Sequence, residues 1–270
     1  MRLAHFAIHR PIFTAIRHGH LLKEFLVRDI KGRFAGSMAG TLWTIITPAA
    51  NILVFIFIFS LVLRIKVTAG ETGTDRFVLF FLSGMFPWMM FSDALMRSVG
   101  SLVDNSNLIT RVVFPVDLLP LSAVLSATIV NGIGLGLFLA YLVVEGFFHP
   151  SWFLLILIMA AQFVFAWGLA CALSAGCVFL RDTREMLGIV LMVWFYATPV
   201  IYPLSMVPKS FRAVIAHNPM GMFITLYRDV LLRHHIHMGL LVWACALSVI
   251  SYIVGVWFFS RSRSAFGDVL

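Results

Sequence analysis

RSVGSLVDNSNLITRVVFPVDLLP, residues 97–120, lies between two apolar runs that are each long enough to cross a bilayer. A connector that only turned the chain round would need a handful of residues. This one is long and helix-competent, with Val103, Leu108, Val112 and Val113 set among Asp104, Asn105, Asn107 and Arg111. It reads as a folded surface presented to a partner in water, on a chain whose flanks belong in lipid.

Composition supports the lipid half of that reading. Hydrophobic residues make up 61% of the 270, charged residues 12%, and mean hydropathy is +0.97, outside the ordinary soluble range. The net charge of +8 does not point to nucleic acid, because Lys and Arg fall in short clusters between apolar runs and form no continuous basic face. Cys171, Cys177 and Cys245 lie inside apolar segments without CxxC spacing and read as small buried hydrophobes, with no disulfide framework or metal site.

Six runs have spanning length by the rule that about 20 apolar residues cross a bilayer: 39–63, 77–96, 118–144, 152–180, 186–203 and 238–260. An even number puts both termini on one side. With the N-terminus inside, the inner segments hold 13 Lys and Arg and the outer ones 7, which favours cytoplasmic termini of a multi-pass protein in the cytoplasmic (inner) membrane. The first 37 residues lack the apolar core and small-residue cleavage site of a signal peptide, so they are expected to be retained.

Those residues carry an apolar stripe at helical spacing, Leu22, Phe25, Leu26 and Ile30. The pairs Glu24/Arg28 and Asp29/Arg33 stand four apart on other faces. An interfacial helix is expected, the alternative being a solvated basic arm. Gly32, Gly36 and Gly40, and again Gly132 and Gly136, keep the small-residue spacing that lets helices approach in lipid. Between spans five and six, 204–237 is too long for a turn and too interrupted for another span. Pro208 opens one short helix, and Asn218 with Pro219 forms an N-cap and first-turn pair for a second that runs to about Leu232. The pair reads either as a re-entrant element on the outer side or as a cap lying flat on the lipid surface.

The chain holds little chemistry of its own. The polar residues deep in the runs, Asn51, Thr128, Asn131 and Gln162, are uncharged, while Asp93, Arg97, Glu145 and Arg181 sit near run ends, so an ion-coupling relay is not expected. No phosphate loop, HExxH, GxSxG or paired-carboxylate motif occurs, and His234, His235 and His237 are explained by a wet loop. A machine of this kind needs a partner to supply energy.

Three blocks carry a resemblance: RDIKGRFAGSMAGTLWTIITP (28–48), FLSGMFPWMMFSDALMRSVGSLVDNSNLITRVVFPVDLLPLS (81–122) and FLRDTREMLGIVLMVWFYATPVIYPLSMVPKSFRAVIAHNP (179–219). In order and spacing they resemble the permease subunits of type 2 ABC exporters for cell-surface polysaccharides, the family of O-antigen, capsule and teichoic-acid exporters. The resemblance implies an all-α integral membrane fold with six transmembrane helices, an amphipathic N-terminal interfacial helix and an outer re-entrant helical pair between spans five and six. It implies a homodimer that docks two copies of a separate ATPase subunit, with ATP and Mg on that partner and no cofactor on this chain, and a lipid-linked polysaccharide as cargo. One permease domain would cover 1–270, divided into 1–37, 38–203, 204–237, 238–260 and 261–270.

Carried over by position, the coupling helix falls on 101–115, with Ser101, Asp104, Asn105, Asn107, Leu108, Arg111, Phe114 and Pro115 as the ATPase-facing residues. The interfacial helix falls on 21–33, with Glu24, Arg28, Asp29 and Arg33. Arg181, Asp182, Arg184 and Glu185 form a second inner turn, either touching the partner or anchored at the headgroups. Trp43, Trp88, Trp194, Tyr196 and Tyr202 are candidates for a sugar path, since Tyr and Trp combine a flat apolar face with a polar tip, and they also suit an interfacial aromatic belt. Two other readings remain: an ABC permease for a drug, lipid or other small hydrophobic cargo, and a membrane-embedded enzyme or structural anchor.

Overall fold

The computed structural model describes residues 10–111 and 114–270. In chain order its helices are α1 (Arg10–Arg17), α2 (Gly19–Gly32), α3 (Trp43–Ile56), α4 (Ala69–Thr72), α5 (Phe77–Val99), α6 (Ser106–Arg111), α7 (Leu118–Val144), α8 (Leu154–Phe179), α9 (Thr183–Tyr196), α10 (Lys209–Ala216), α11 (Pro219–Arg228), α12 (Met238–Ser262) and α13 (Phe266–Val269). Among the described residues there is no sheet, only one isolated bridge between Lys66 and Arg76. With its flanking turns α3 extends over Gly40–Val62; together with α5, α7, the α8 segment Pro150–Phe179 and the α12 segment Met238–Ala265, this makes five helices long and apolar enough to cross a membrane. Their boundaries fall close to the apolar runs because each run is closed by polar or turn-forming residues.

The fifth run behaves differently. Helix α9 has 14 residues, about 21 Å at 1.5 Å per residue, short of the roughly 30 Å hydrocarbon core. It stops because Pro199 cannot donate to the ladder. The side chains around the break take over: Thr198 Oγ1 donates to Trp194 O at 2.6 Å and Asn218 Nδ2 donates to Ala197 O at 3.1 Å. Pro48 and Pro87, by contrast, are accommodated inside α3 and α5.

Helix α5 is the enclosed centre: 78% of its most apolar stretch is buried, against 6% for α3, whose outer face is left to lipid or to a partner. Helices α8 and α12 meet backbone to backbone. Gly168 and Gly255 oppose each other so closely that a Cβ on either would overlap the other helix, and Ser251 Oγ donates to Phe165 O at 3.0 Å across the seam. The glycines that keep regular spacing, at 32, 36, 40, 132 and 136, have open space where a Cβ would stand.

Alternation of the long helices brings the ends of α5, α8 and α12 together with the starts of α7 and α9 at one pole, where α2 also packs against α7. At the other pole α10 and α11 form the expected helical pair. Asn218 caps α11, its Oδ1 accepting from Met220 N at 3.0 Å with Pro219 as first helical residue, and a π-turn at Asp229–Arg233 carries the chain to α12. Arg76 pairs with Glu145 at this pole, and Asp229, fully buried, pairs with Arg233 at 2.8 Å and with His237 Nδ1 at 2.6 Å.

Candidate functional site

Four separate pieces of chain assemble into one surface at the first pole. The connector after α5 is a tight turn followed by α6. Ser101 Oγ donates to Ser98 O at 2.7 Å and Asn105 Nδ2 to Ser101 O at 2.9 Å, so the polar side chains that made the segment look helix-competent pin its first turn. The other face of Asn105 belongs to α2: Arg28 Nη2 donates to its Oδ1 at 2.8 Å. The Arg28 guanidinium also lies 4.4 Å from the Phe25 ring centroid, and Phe25 packs on Phe114 at 5.1 Å. The third piece is the turn before α9, where Arg184 Nη2 meets Asp104 Oδ2 at 2.5 Å. Gly100 makes this possible, because a side chain there would overlap the Arg184 guanidinium. The C-terminal segment closes the group: Arg263 pairs with Asp117 at 2.8 Å, and Phe266 packs on Phe259 and Phe179.

Of the expected coupling residues, Ser101 is buried, Asn105, Leu108, Phe114 and Pro115 are half-buried, and Asp104 and Asn107 are exposed. Arg111 ends α6; its side chain, like Val112 and Val113, lies outside the described residues. The half-exposed Asp104–Arg184 pair contributes little to stability. It joins the 181–185 turn to the connector.

A second cluster ties α2 to the spans. Asp93 accepts from Arg33 Nη1 at 2.9 Å, Arg97 Nε at 2.8 Å and Asn131 Nδ2 at 2.9 Å. Arg33 Nη2 reaches Ser126 at 2.9 Å, and Ser126 Oγ in turn donates to Asp29. The Arg33 side chain is 7% exposed. Burial lowers its pKa from the ordinary arginine value, with Asp93 opposing. The four-apart pairs expected along α2 are rearranged by these tertiary contacts. Asp29 lies 3.8 Å from Arg33, farther than Asp93 does, and Glu24 faces His20 at 3.5 Å while Arg28 turns to the connector. Sequence reasoning placed Asp93 at an interface and left Asp117 and Arg263 unassigned. Partners 60 and 146 positions away leave no mark on local periodicity.

Asp93 and Asn131 also form the polar end of a cleft of about 670 Å³ between α5, α7 and α9, whose walls include Met85, Met89, Met192 and Phe195. Two of the five candidate aromatics reach it, Trp88, itself 5% exposed, and Tyr196, which is exposed. Trp43 borders a smaller cavity of about 130 Å³ with Asn51, and its indole donates to Ser37 at 2.8 Å. The remaining two hold the end of α9 together: Trp194 Nε1 donates to Asn218 at 2.7 Å and Tyr202 OH to Tyr196 O at 2.8 Å. The arrangement offers a mechanically linked water-side surface and a cleft with aromatic walls.

The sequence model of the ABC-2 type transporter family matches residues 20–232. An O-antigen export system permease protein of Klebsiella pneumoniae is 28% identical over 252 residues, covering 93% of this chain and 95% of that one. One from Myxococcus xanthus is 31% identical over 223 residues, 80% of this chain and 82% of its own. A polysialic acid transport protein of Escherichia coli is 25% identical over 255 residues, 90% and 94% respectively.

Proposed function

As this chain belongs to the ABC-2 type transporter family, we propose that it is the membrane-spanning subunit of an ATP-driven exporter that moves a lipid-linked polysaccharide, O-antigen-like, across the cytoplasmic membrane. The cargo class comes from the export and transport activities in the names of its relatives. The observation that carries the proposal is the joining of α2, the connector, the 181–185 turn and the C-terminal segment into one surface by Arg28–Asn105, Phe25–Phe114, Asp104–Arg184 and Asp117–Arg263. A separate ATPase subunit docks there, on the cytoplasmic side, with ATP and Mg bound on that subunit. Two copies of each chain form the working unit, and the sparsely buried α3 supplies part of the seam between permease copies.

In this reading α2 is the interfacial helix and α9 with the turn after it is a sixth crossing, cut short so that α10 and α11 fold back as an outer re-entrant pair. Both termini are then cytoplasmic. ATP-driven closure of the ATPase pair pushes the connector. Asp104–Arg184 passes the push to α9, and Arg33–Asp93 passes it to α5, so two walls of the cleft move together in a switch between two packings. The exposed Tyr196 gives a sugar chain a weak apolar contact, with Trp88 backing the wall behind it, while Asp93 and Asn131 offer hydrogen bonds. The methionines of the same cleft support the second reading, a drug, lipid or other small hydrophobic cargo.

The test is genetic. Deletion of the gene should abolish surface glycan, and complementation with Phe114→Ala or Arg111→Glu should leave membrane insertion intact and impair export. Wild-type surface glycan from both variants, at normal ATPase association, would refute the docking assignment. Export of a lipophilic dye in place of glycan would favour the second cargo.

A further inference from the structure

Arg228, at the end of α11, is 5% exposed and, among the described residues, forms no ion pair with a carboxylate. Its partners are backbone carbonyls. Nε and Nη2 donate to Phe80 O at 3.3 and 3.1 Å, Nη1 to Pro199 O at 2.6 Å, and Nη2 also to Val200 O at 2.9 Å. The guanidinium carbon stands 3.6 Å from the centroid of the Phe80 ring. These acceptors come from two other elements: the first turn of α5, and the break after α9 where the chain has left the helical ladder. Gly84 provides the space, since a Cβ there would fall 2.8 Å from Nη2.

A buried cation is tolerated only while its donors are satisfied. Here one planar group with five N–H donors satisfies itself on three carbonyls at once. We infer that Arg228 is the pin of the outer helical pair, the residue whose release from Phe80, Pro199 and Val200 sets when α10 and α11 swing away from α5 and α9. A cavity of about 280 Å³ lies against Arg228, with Glu71, Thr72 and Arg233 on its walls beside Phe80, Pro199 and Met222, and gives the side chain and α11 room to move without first expelling a neighbour. This inference rests on the reading of that pair as an outer re-entrant element of an exporter, and adds the gate reading, in which the pair closes the outer end of the export path.

The experiment compares wild type with Arg228→Met and Arg228→Lys as full complexes with the ATPase subunit in liposomes without ATP. It reads amide exchange along the chain and leak of an entrapped fluorescent oligosaccharide. Arg228→Met should speed exchange in residues 219–228 by about tenfold while exchange in α8 and α12 stays as in wild type, and leak should rise without nucleotide. Arg228→Lys keeps the charge but loses the fork and should fall between the two. Should Arg228→Met not assemble, Gly84→Ala presses on the same guanidinium from the α5 side and should show the same local loosening to a lesser degree. Unchanged exchange in 219–228, or exchange that rises equally throughout α8 and α12, overturns the pin. Local loosening without leak keeps the pin and overturns the gate reading on which it was built.

Discussion

Gly255→Ala puts the α8–α12 seam to a quantitative test. In an exposed helix interior, replacing glycine by alanine stabilises by about 1 kcal/mol through propensity. At Gly255 the new Cβ would lie 2.6 Å from the carbonyl carbon of Gly168 and closer still to its oxygen, where ordinary contact starts at 3.4 Å. Relieving the contact with that oxygen requires the two helices to part by roughly 1.5 Å, and overpacking of this kind costs about 1–3 kcal/mol. Because the obstacle is backbone, no rotamer change relieves it. Taking the upper part of that range, about 2–3 kcal/mol, since backbone cannot yield, and setting the propensity gain of about 1 kcal/mol against it leaves a net loss of about 1–2 kcal/mol. Gly132 has nothing within 4 Å of its Cβ position, so Gly132→Ala should be neutral or stabilising. Thermal unfolding of the purified protein in detergent, followed by tryptophan fluorescence, should show the Gly255→Ala midpoint lower by about 2–8 °C and the Gly132→Ala midpoint unchanged or higher. A Gly255→Ala protein that melts with or above wild type, or a Gly132→Ala protein that loses as much, would refute the backbone seam.

Reversing the Asp104–Arg184 pair one residue at a time, Asp104→Arg or Arg184→Asp, should depress export while shifting unfolding by no more than about 1 kcal/mol; the double reversal should restore most export, and failure of that rescue argues against direct coupling. Asp93→Ala strands the enclosed Arg33 beside Arg97 and should cost about 2 kcal/mol, discounted from the fully buried case because Asp93 is partly exposed; an unchanged melting midpoint contradicts this. Burial, then His149, holds the His234 pKa below the ordinary histidine value, with Val230 O opposing. The unfolded chain therefore takes up its proton first, and stabilisation present above about pH 6.5 is lost as pH falls below it. Hydrogen exchange at residues 230–237, corrected for intrinsic rate, should rise between pH 7.5 and 5.5, less so in His149→Asn; a flat profile removes the effect.

Long apolar runs bounded by polar turns were legible as helices to within a few residues. The Asn218–Pro219 start of α11 was equally plain, because capping is a local matter of one side chain and the next backbone N–H. In the fifth run hydropathy averages over Pro199 and Pro203, whereas the helical ladder stops where the first donor is missing, so the run and the helix differ in length. Glycine spacing departs from the packing in another way. The regular series stand in open space, and the close approach uses Gly168 and Gly255, one on each helix, which no single-segment pattern reveals. At the site, the connector announced itself by length and polarity, but its partners Arg28 and Arg184 are distant in sequence and emerge only from packing. Arg228 escaped for a related reason. Its acceptors are backbone carbonyls 148, 29 and 28 positions away, which no local pattern marks.

Translocation of a labelled lipid-linked glycan across liposomes tests the central claim most directly, measured with this chain alone, with its ATPase partner and ATP, and with the partner held in a non-hydrolysing state. Transport confined to the second condition, and reduced there by Phe114→Ala, is the predicted result. Uphill transport or nucleotide hydrolysis by the chain alone would contradict it.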